Sequence, residues 1–462
     1  MALKRKQEIE LDIEGLAFGG RGIAKVDGLA VFVERAVPGD RVRARIVKKK
    51  KSFAEARVIE LLSPSPDRIS PPCRYSGYCG GCKWQMLPYA LQLQYKQSHV
   101  EEALSHIGGL TDVEVLPILA SPNVFQYRNK MEFSCSDRRW LMPEELGKED
   151  VDMGFGIGLH VPGTFHKVLD IEKCHLQPDL GNRILSDVRE YMKASGLPAY
   201  GLKSHEGFWR FLMLRHSSAN DQWMVNVITS EENRALLQPL ANKLITDHSS
   251  VASVVNNITA RKAGIAVGES EIHLAGEPVL RDKIGRFEFE ISANSFFQTN
   301  TPGATLLYDT VKSFAGLSGG ERILDLYCGT GTIGIYLSDD AGEVLGMELV
   351  ESSLADAENN CRINGVSNCR FIGGDIKDAL AHVDTRPDVM VIDPPRVGMH
   401  KDVLKQVMVM VPDRIVYVSC NPSTLARDLA VMQEGYSIGA VQPVDMFPHT
   451  HHIESVVRLE KR

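Results

Sequence analysis

From about residue 286 onward, the sequence alternates between short apolar runs and longer stretches with helical periodicity. Strands that alternate with helices need crossover connections, which place the strands parallel in one sheet with the helices on its faces. This rhythm constrains the fold more than any other feature, and it predicts an α/β domain over residues 286–462. The predicted strands are residues 321–327, 343–349, 369–375, 388–393, 414–419, 439–446 and 452–459.

Three of these predicted strands end in residues with obvious chemistry. Residues 419–422, Ser-Cys-Asn-Pro, place a single thiol after an apolar run, and residues 393–396, Asp-Pro-Pro-Arg, follow another. A third run leads into a glycine-rich turn at residues 328–334, Cys-Gly-Thr-Gly-Thr-Ile-Gly. Because ligands in open parallel sheets bind outside the carboxyl ends of the strands, these three segments are expected to meet in one crevice. The sequence therefore favours an enzyme.

The glycine-rich turn satisfies the pattern G-x-G-x-x-G, which is typical of Rossmann-like nucleotide-binding domains. Glu348, at the end of the next strand, is positioned to accept hydrogen bonds from ribose hydroxyls, and Asp375 would reach toward an adenine. A dinucleotide-dependent dehydrogenase is one interpretation. The residues from Asp325 to Cys328 and the Asp-Pro-Pro turn are similar instead to those of S-adenosyl-L-methionine-dependent methyltransferases, which is the interpretation we favour.

A thiol beside a methyl donor suggests methylation of a pyrimidine at carbon 5. That carbon is a poor nucleophile until a thiolate adds to carbon 6, so Cys420 is the predicted covalent catalyst. A base must then remove the proton on carbon 5; we predict Glu454, with His451 and His452 as alternatives. A helix that begins near residue 422 would help to form the thiolate near neutral pH. The base must be single-stranded or flipped.

Length and composition set the wider context. The 462 residues suggest two to four domains of roughly 100–200 residues each. No apolar stretch approaches the roughly 20 residues of a membrane helix, and the charged start has no apolar signal region, so we expect a cytoplasmic protein without a membrane partner. Nine cysteines in so long a chain do not indicate a disulfide framework. No feature calls for an obligate protein partner.

The first 62 residues carry 14 Lys and Arg against 9 Asp and Glu, although the whole chain has a net charge of -7. Five short alternating segments separated by glycine turns predict a small β-barrel of the oligonucleotide-binding kind. The pattern at residues 15–22, Gly-Leu-Ala-Phe-Gly-Gly-Arg-Gly, followed by Val-Pro-Gly-Asp at 37–40, resembles the TRAM domain, an RNA-binding barrel. The local charge fits attraction to phosphates, although a solvated lysine turn would look the same. We place this domain at residues 1–62.

Three cysteines follow the Ser-Pro-Ser-Pro linker at residues 63–66. Cys73, Cys79 and Cys82 have the spacing C-x5-C-x2-C, which is typical of thiolates that hold zinc or an iron–sulfur cluster. Either metal needs a fourth ligand, for which Cys174 is the first candidate and Cys135 the second. The spacing does not choose between the two metals. It differs from the C-x3-C-x2-C of radical enzymes that use S-adenosyl-L-methionine.

The middle of the chain gives weaker signals. Alternating segments within residues 121–285 predict an antiparallel sheet with flanking helices, and we assign residues 63–285 to a central domain. A predicted helix near residues 88–107, within a segment 88–120, is expected to pack back on the C-terminal domain. Four basic residues are candidate phosphate contacts or solvated arginines and lysines of a strand face: Arg128, Lys130, Arg210 and Arg215.

Taken together, the motifs resemble those of the RNA uracil-5 methyltransferase family, and the whole chain resembles its 23S rRNA branch. The motifs that carry the resemblance are residues 294–300 (Asn-Ser-Phe-Phe-Gln-Thr-Asn), 325–331, 393–396, 419–422 and 452–455 (His-Ile-Glu-Ser). The family implies a Rossmann-like methyltransferase domain, an N-terminal barrel and a central iron–sulfur domain.

The resemblance also implies roles for individual residues. S-adenosyl-L-methionine would be bound by Gln298, Tyr327, Glu348 and Asp393, with Thr332 and Asp375 adjacent. Cys420 would attack the uracil, Glu454 would be the base, and a [4Fe-4S] cluster would be held by Cys73, Cys79, Cys82 and Cys174. Position 332 departs from the pattern, because some members have Asn where this chain has Thr.

The expected substrate is a uridine of 23S rRNA. The barrel and the four cysteines favour rRNA over the tRNA T-loop, whose bacterial enzyme in this family has neither, but related cluster-bearing tRNA enzymes keep tRNA as an alternative. A radical methylthiotransferase would also carry a TRAM domain and an iron–sulfur site, although its TRAM domain is normally C-terminal. A non-catalytic RNA-binding protein would keep the barrel and the cysteines but would not need Cys420.

Overall fold

The computed structural model describes residues 3–202, 204–262, 264–383 and 385–462. The N-terminal sheet has six strands, one more than the sequence predicts, because the three-residue β2 is too short to give an alternating pattern. The strands are β1 (Glu8–Asp12), β2 (Gly15–Ala17), β3 (Arg21–Val26), β4 (Leu29–Glu34), β5 (Arg41–Lys49) and β6 (Phe53–Ser63).

Their order is β1-β5-β6-β4-β3-β2, and all pairs are antiparallel except β4 with β6. Alternate side chains of β4 and β5 point inward, so that Val31, Val33, Val42 and Ala44 fill a small apolar core of their own. The first sheet therefore has an interior separate from the rest of the protein.

Helix α1 (Tyr89–His106) follows the first sheet and precedes the second. The second sheet has seven strands and two helices: β7 (Lys130–Ser136), β8 (Gly156–His160), β9 (Val168–Asp170), α2 (Asp179–Ala194), β10 (Trp209–Ser217), β11 (Gln222–Thr229), α3 (Arg234–Asp247), β12 (Val251–Ile258) and β13 (Ser270–Gly276). Its order is β13-β12-β11-β10-β7-β8-β9. The pairs are antiparallel, as predicted, except for β11 with β12, which α3 connects as a parallel pair.

A hairpin of β14 (Leu280–Ile284) and β15 (Phe287–Ile291) leads into the C-terminal sheet, and the predicted boundary at 285/286 falls in its turn. The remaining elements are α4 (Thr301–Ala315), β16 (Arg322–Leu326), α5 (Thr332–Leu337), β17 (Glu343–Glu348), α6 (Glu351–Ile363), β18 (Cys369–Gly373), α7 (Ile376–Ala379), β19 (Val389–Ile392), α8 (Lys401–Met410), β20 (Arg414–Ser419), α9 (Pro422–Met432), β21 (Tyr436–Val444) and β22 (Glu454–Lys461). Short 3-10 turns occur at Pro143–Glu145, Ser338–Asp340 and Leu380–His382.

The C-terminal sheet has the order β18-β17-β16-β19-β20-β22-β21. The first five strands are parallel, and β22 runs antiparallel to both of its neighbours. All seven predicted strands are present, with ends that differ by a few residues. The prediction of a mixed α/β fold with a mostly parallel C-terminal sheet is confirmed.

Helix α1 packs on the C-terminal sheet rather than on the central one that follows it in sequence. Its buried residues Val100 and Leu104 belong to the same apolar core as Leu425 and Leu429 of α9. The barrel also contacts α1, because the Leu16 carbonyl lies 2.9 Å from Nε2 of His99. Among the helices of the described ranges, none combines the length and the apolar character that a membrane crossing needs.

Candidate active site

The carboxyl edge of the C-terminal sheet gathers the predicted catalytic residues. Strand β20 ends at Ser419, so that Cys420 is the first residue beyond it. Because β22 runs antiparallel to β20 and pairs Ser455 with Ser419, the first residue of β22, Glu454, returns to the same edge beside Cys420. Asp393 follows the neighbouring strand β19. The structure thus brings the predicted nucleophile and base together.

The loop after β20 holds Cys420 at the start of α9. Asn421 caps this helix by accepting a hydrogen bond from the Ser423 amide at 3.1 Å, and its side-chain amide donates to the Arg396 carbonyl at 3.0 Å. The thiol is half-buried. Burial, followed by the charges of Glu454 and Asp393, raises the pKa of the Cys420 thiol to about 11, against the opposing effect of Arg396.

Burial therefore opposes the thiolate that the sequence analysis expects near neutral pH. The start of α9 does lie next to Cys420, as the sequence suggests, and a helix N-terminus favours a thiolate. Burial and two neighbouring carboxyl groups disfavour the charged form more strongly.

The carboxyl groups beside Cys420 also hold protons more tightly than usual. Burial, with a contribution from the charge of Asp393, raises the pKa of Glu454 well above its ordinary value, and Arg396 opposes this. Burial raises the pKa of Asp393 to about 7. Arg396 is the residue of this group that our sequence analysis missed as a site residue. Arg396 is part of the Asp-Pro-Pro-Arg motif, but from that motif the sequence analysis selected only Asp393 as a site residue.

The two alternative bases are neutral aromatic rings in this structure. Burial lowers the pKa of His451 to about 4 and that of His452 to about 3, with further lowering from cationic neighbours. Their ring centroids are 4.2 Å apart, and Phe18 of the barrel meets His451 edge-on at 5.8 Å. Each would be a weaker proton acceptor than Glu454 at neutral pH.

The glycine-rich turn after β16 is fixed by two acidic side chains. Asp325, which is fully buried, accepts a hydrogen bond from the Gly334 amide at 3.1 Å. Glu348 accepts one from the Gly329 amide at 3.0 Å and two more from the backbone of residues 349 and 350. Gly331 has a φ of +75°, and a Cβ there would lie 3.0 Å from Ala357 and Phe371, so glycine is required.

The other predicted contacts to S-adenosyl-L-methionine lie around the same edge. Thr332 begins α5, and its hydroxyl is 2.8 Å from the Tyr308 hydroxyl, a partner that the sequence did not reveal. Tyr327 has a left-handed φ of +64°, which is uncommon for a residue with a side chain. Asp375 is exposed and caps α7 through the Lys377 amide at 3.0 Å. Gln298 precedes α4 and is half-buried.

The predicted cluster ligands line a cavity of about 520 Å³, which we call the cysteine cavity. These ligands are Cys73, Cys79, Cys82 and Cys174. Cys135 instead lies in the core of the central sheet, with its sulfur 3.8 Å from that of Met192. The C-terminal domain completes the wall of the cavity with Arg396 and His452, so that it adjoins the active site.

Polar hydrogens point at the sulfurs of the cysteine cavity. The Gly81 amide donates to Sγ of Cys79 at 3.4 Å, and neighbouring backbone amides lower the pKa values of Cys73 and Cys174 in opposition to burial. Burial still dominates, and it raises the pKa values of Cys79 and Cys82 to about 12. No three His, Cys, Asp or Glu side chains of the described residues converge as ligands of one metal ion would. All nine cysteines are free thiols.

A larger groove of about 1120 Å³, the basic groove, runs between the barrel and the central sheet. Its basic lining residues are Arg21, Arg35, Arg57, Lys83, Arg138, Arg139, Lys167 and Arg210. Aromatic rings alternate with them. Lys167 lies over the exposed Trp140 ring at 4.0 Å, and Arg35 lies over Tyr78 at 4.3 Å. Cys79, Cys82 and His160 line both the basic groove and the cysteine cavity.

Two of the four basic residues considered as phosphate contacts have structural roles. Arg215 is buried and donates to the Ala293 and Ser295 carbonyls, so it is neither solvated nor available to a phosphate. Arg210 donates to the Thr259 carbonyl at 2.8 Å and stacks on Tyr200. In the sequence both arginines look like solvated side chains of β10, but each is covered by a segment from another part of the chain.

Comparisons with known proteins give a consistent result. The family model described as tRNA (Uracil-5-)-methyltransferase matches residues 213–462, and the TRAM domain model matches residues 3–59. The chain is 43% identical to a protein of Chlorobaculum tepidum named as an uncharacterized RNA methyltransferase, over 98% of this chain and 96% of the relative. It is 42% identical to one of the same description from Bacteroides thetaiotaomicron, over 97% and 100%.

A solved structure also resembles the whole chain. It is the Pyrococcus abyssi tRNA (uracil-54, C5)-methyltransferase in complex with S-adenosyl-L-homocysteine, which is 28% identical and superposes with a TM-score of 0.76. The match covers 98% of this chain and 100% of that protein.

Proposed function

The chain belongs to the tRNA (uracil-5-)-methyltransferase family, and from this membership we propose that it methylates carbon 5 of a uridine in 23S rRNA. The observation that carries the proposal is the juxtaposition of Cys420 and Glu454 at the facing ends of β20 and β22. A thiol and a carboxyl group side by side at one edge of the sheet are the two groups that this reaction needs from the protein.

The first step is addition of the Cys420 thiolate to carbon 6 of the uracil. The new sulfur–carbon bond uses the electron pair of the C5–C6 double bond, which is displaced toward carbon 5 and the O4 oxygen as an enolate. Carbon 5 then takes the methyl group from the sulfonium of S-adenosyl-L-methionine, whose sulfur keeps the bonding electron pair. Arg396, the cation beside Cys420, favours the thiolate that begins this sequence.

The second half of the reaction regenerates the enzyme. Glu454 removes the proton from carbon 5, the freed electron pair re-forms the C5–C6 double bond, and the sulfur–carbon bond breaks to return the Cys420 thiolate. The high pKa of Glu454 makes its carboxylate a stronger base than a solvated glutamate. Its proton must be lost before it can act, so we expect the rate to rise as the pH passes the raised pKa of Glu454.

The methyl donor would bind at the glycine-rich turn. Gly329 borders open space, because a Cβ there would meet no other atom within 4 Å, and its amide is held by Glu348, the type of residue that binds ribose hydroxyls in Rossmann-like domains. The proposed contacts are Gln298, Tyr327, Thr332, Glu348, Asp375 and Asp393. Asp393 stands between this site and Cys420, and its carboxylate would face the positive sulfonium.

The basic groove supports an RNA substrate. Cations that alternate with exposed aromatic rings suit single-stranded nucleic acid, because the cations attract phosphates and the rings stack on bases. The groove begins at the barrel and reaches His451, which is three residues from Glu454. An unpaired or flipped uridine could pass from this groove to Cys420.

The substrate is proposed as 23S rRNA on two sequence features, the N-terminal barrel that resembles the TRAM domain and the four cysteines. A T-loop uridine of tRNA is the second candidate. It is favoured by the whole-chain likeness to the Pyrococcus abyssi enzyme, whose printed substrate is tRNA uracil 54.

We also propose a [4Fe-4S] cluster on Cys73, Cys79, Cys82 and Cys174. A single zinc ion would draw its ligands to about 2.3 Å, whereas a cluster of four irons fills more volume and suits sulfurs arranged around the wall of a cavity. The amide donors around these sulfurs would stabilise thiolate charge. The cluster would hold the segment after Cys82 beside the active site and takes no part in the methyl transfer.

The test is methyl transfer from S-adenosyl-L-methionine to unmodified transcripts of 23S rRNA and tRNA, with the product nucleotide mapped by mass spectrometry. We expect 5-methyluridine in the 23S transcript, and a loss on the order of 10³-fold or more in Cys420→Ala. Cys369→Ala, which changes another half-buried thiol at the start of β18, should keep full activity.

The outcomes separate the alternatives. Turnover by Cys420→Ala would exclude covalent catalysis. Modification of the tRNA transcript alone would make tRNA, and not 23S rRNA, the substrate. Binding of both RNAs without methylation of either would indicate a non-catalytic RNA-binding protein.

A further inference from the structure

The loop at residues 445–453, which joins β21 to β22, leads directly into Glu454, and we call it the base loop. Its path is not set by its own sequence neighbours alone. Side chains of α1, about 350 positions earlier in the chain, contact its backbone and its one buried acid.

The central contact is a fully buried ion pair. Nζ of Lys96 lies 2.6 Å from Oδ1 of Asp445, and both side chains are wholly shielded from solvent. The same ammonium donates to the Phe447 carbonyl at 3.0 Å. Asp445 is held further by the Tyr89 hydroxyl at 2.9 Å and by the Phe447 amide at 2.9 Å. One lysine thus fixes the first three residues of the base loop.

A second side chain of α1 fixes the middle of the loop. Oε1 of Gln92 accepts a hydrogen bond from the His449 amide at 2.8 Å, and its Nε2 lies 3.2 Å from the His449 ring. His449 has a left-handed φ of +66°, which a residue with a side chain adopts only when its surroundings impose it. The His449 carbonyl accepts hydrogen bonds from the amides of Lys83 and Trp84, directly after Cys82.

The buried ion pair between Lys96 and Asp445 is not explained by its contribution to fold stability. Withdrawing two charges from water costs much of what their attraction returns, and apolar side chains of similar volume often stabilise a core at least as well. A buried ion pair with further hydrogen bonds does impose one geometry. Lys96 lines neither the cysteine cavity nor the basic groove, so it does not contact the RNA there.

We propose that Lys96 is a positioning residue that holds the base loop so that Glu454 reaches the proton on carbon 5. The inference rests on the proposed role of Glu454 as the base. Lys96 would therefore affect only the second half of the reaction, in which the C5 proton is removed and the methylated product is released. The addition of Cys420 and the methyl transfer would not depend on it.

The test separates these two halves with two RNAs. In RNA that carries 5-fluorouridine, carbon 5 holds a fluorine that no base can remove as a proton, so the methylated adduct with Cys420 persists. The rate of adduct formation therefore reports the first half alone. Turnover on ordinary uridine needs both halves. For Lys96→Met, we expect turnover to fall on the order of 10–100-fold, because the base is misplaced.

In the same variant, the 5-fluorouridine adduct should form at nearly the rate of the unchanged protein, and an adduct with ordinary RNA should accumulate. Equal losses in both reactions, or no loss in either, would overturn the proposal. Leu240→Ala, in the core under the central sheet, is the control: it should lower the melting temperature without changing the ratio of the two rates.

A double variant covers the case in which Lys96→Met leaves an uncompensated buried charge and folds poorly. Lys96→Met with Asp445→Asn removes both charges, and the ammonium that holds the base loop is still missing. This variant should therefore fold and still release product slowly. Full turnover by the double variant would contradict a positioning role. If the unchanged protein itself methylates no RNA and forms no adduct, it is the proposed function that fails.

Discussion

Cys420 and the four cysteines of the cysteine cavity are all withdrawn from water, and burial raises the pKa of every one of these thiols. Their neighbours differ in kind. Cys420 stands among side chains that gain or lose protons, Glu454 and Asp393, with Arg396 opposing them. The sulfurs of the cysteine cavity receive amide donors, from the backbone and, at Cys82, from the Gln85 side chain, and these donors cannot take a proton away. A raised pKa therefore does not distinguish the proposed nucleophile from the proposed cluster ligands, whereas the neighbouring groups differ.

The largest effect is expected when the proposed proton acceptor beside Cys420 is removed. In Glu454→Gln, we expect turnover to fall on the order of 10²–10⁴-fold, because the C5 proton has no acceptor, while addition of Cys420 survives. A covalent protein–RNA adduct should then accumulate on a denaturing gel. Glu460→Gln, which changes an exposed acid of the same strand, should behave like the unchanged protein. A gel without adduct would remove Glu454 from its proposed role.

The second test acts on the other set of thiols. If the proposed cluster is present, Cys82→Ala should lose most of the iron and acid-labile sulfide of protein purified without oxygen, and its melting temperature should fall because a bound cluster would stabilise the fold. Turnover should fall less than in Glu454→Gln, since only the Lys83 and Trp84 contacts to the base loop are loosened.

Cys420→Ala should keep its full iron content, which makes the two cysteine variants controls for each other. Stoichiometric zinc without iron in the unchanged protein would contradict the proposed cluster. Unaltered metal content in Cys82→Ala would contradict its role as a ligand.

The smallest expected effect is on the acidity of Cys420 itself. The rate of its alkylation, followed on the peptide that contains it, should rise with pH through a midpoint near the thiol pKa of about 11. In Glu454→Gln the midpoint should move down, because a neighbouring negative charge opposes loss of the thiol proton and its removal favours that loss. A midpoint below that of an ordinary cysteine would mean that the start of α9 governs the thiol after all.

The sequence predicts the C-terminal sheet well, because each strand is a clear apolar run bounded by turn residues. It also places Cys420 and Glu454 at one edge, and it favours Glu454 over its histidine neighbours because the segment of Glu454 begins a closing strand. The pKa of Cys420 could not be predicted, since it depends on carboxyl groups that come from two other strands. Lys96 gave no signal either: its partner is 349 positions away, and a lysine on an amphipathic helix normally faces water.

Helix α1 is separated in sequence from the sheet on which it packs by the whole of the central domain. A fragment that starts after the hairpin would lack Val100 and Leu104 and would expose the apolar surface of α9 that they cover. Genetic exchange of C-terminal halves between relatives would therefore have to carry two separated segments. Otherwise the C-terminal sheet of one protein would pack against helix α1 of the other. Inheritance of the chain as one block is the simpler outcome.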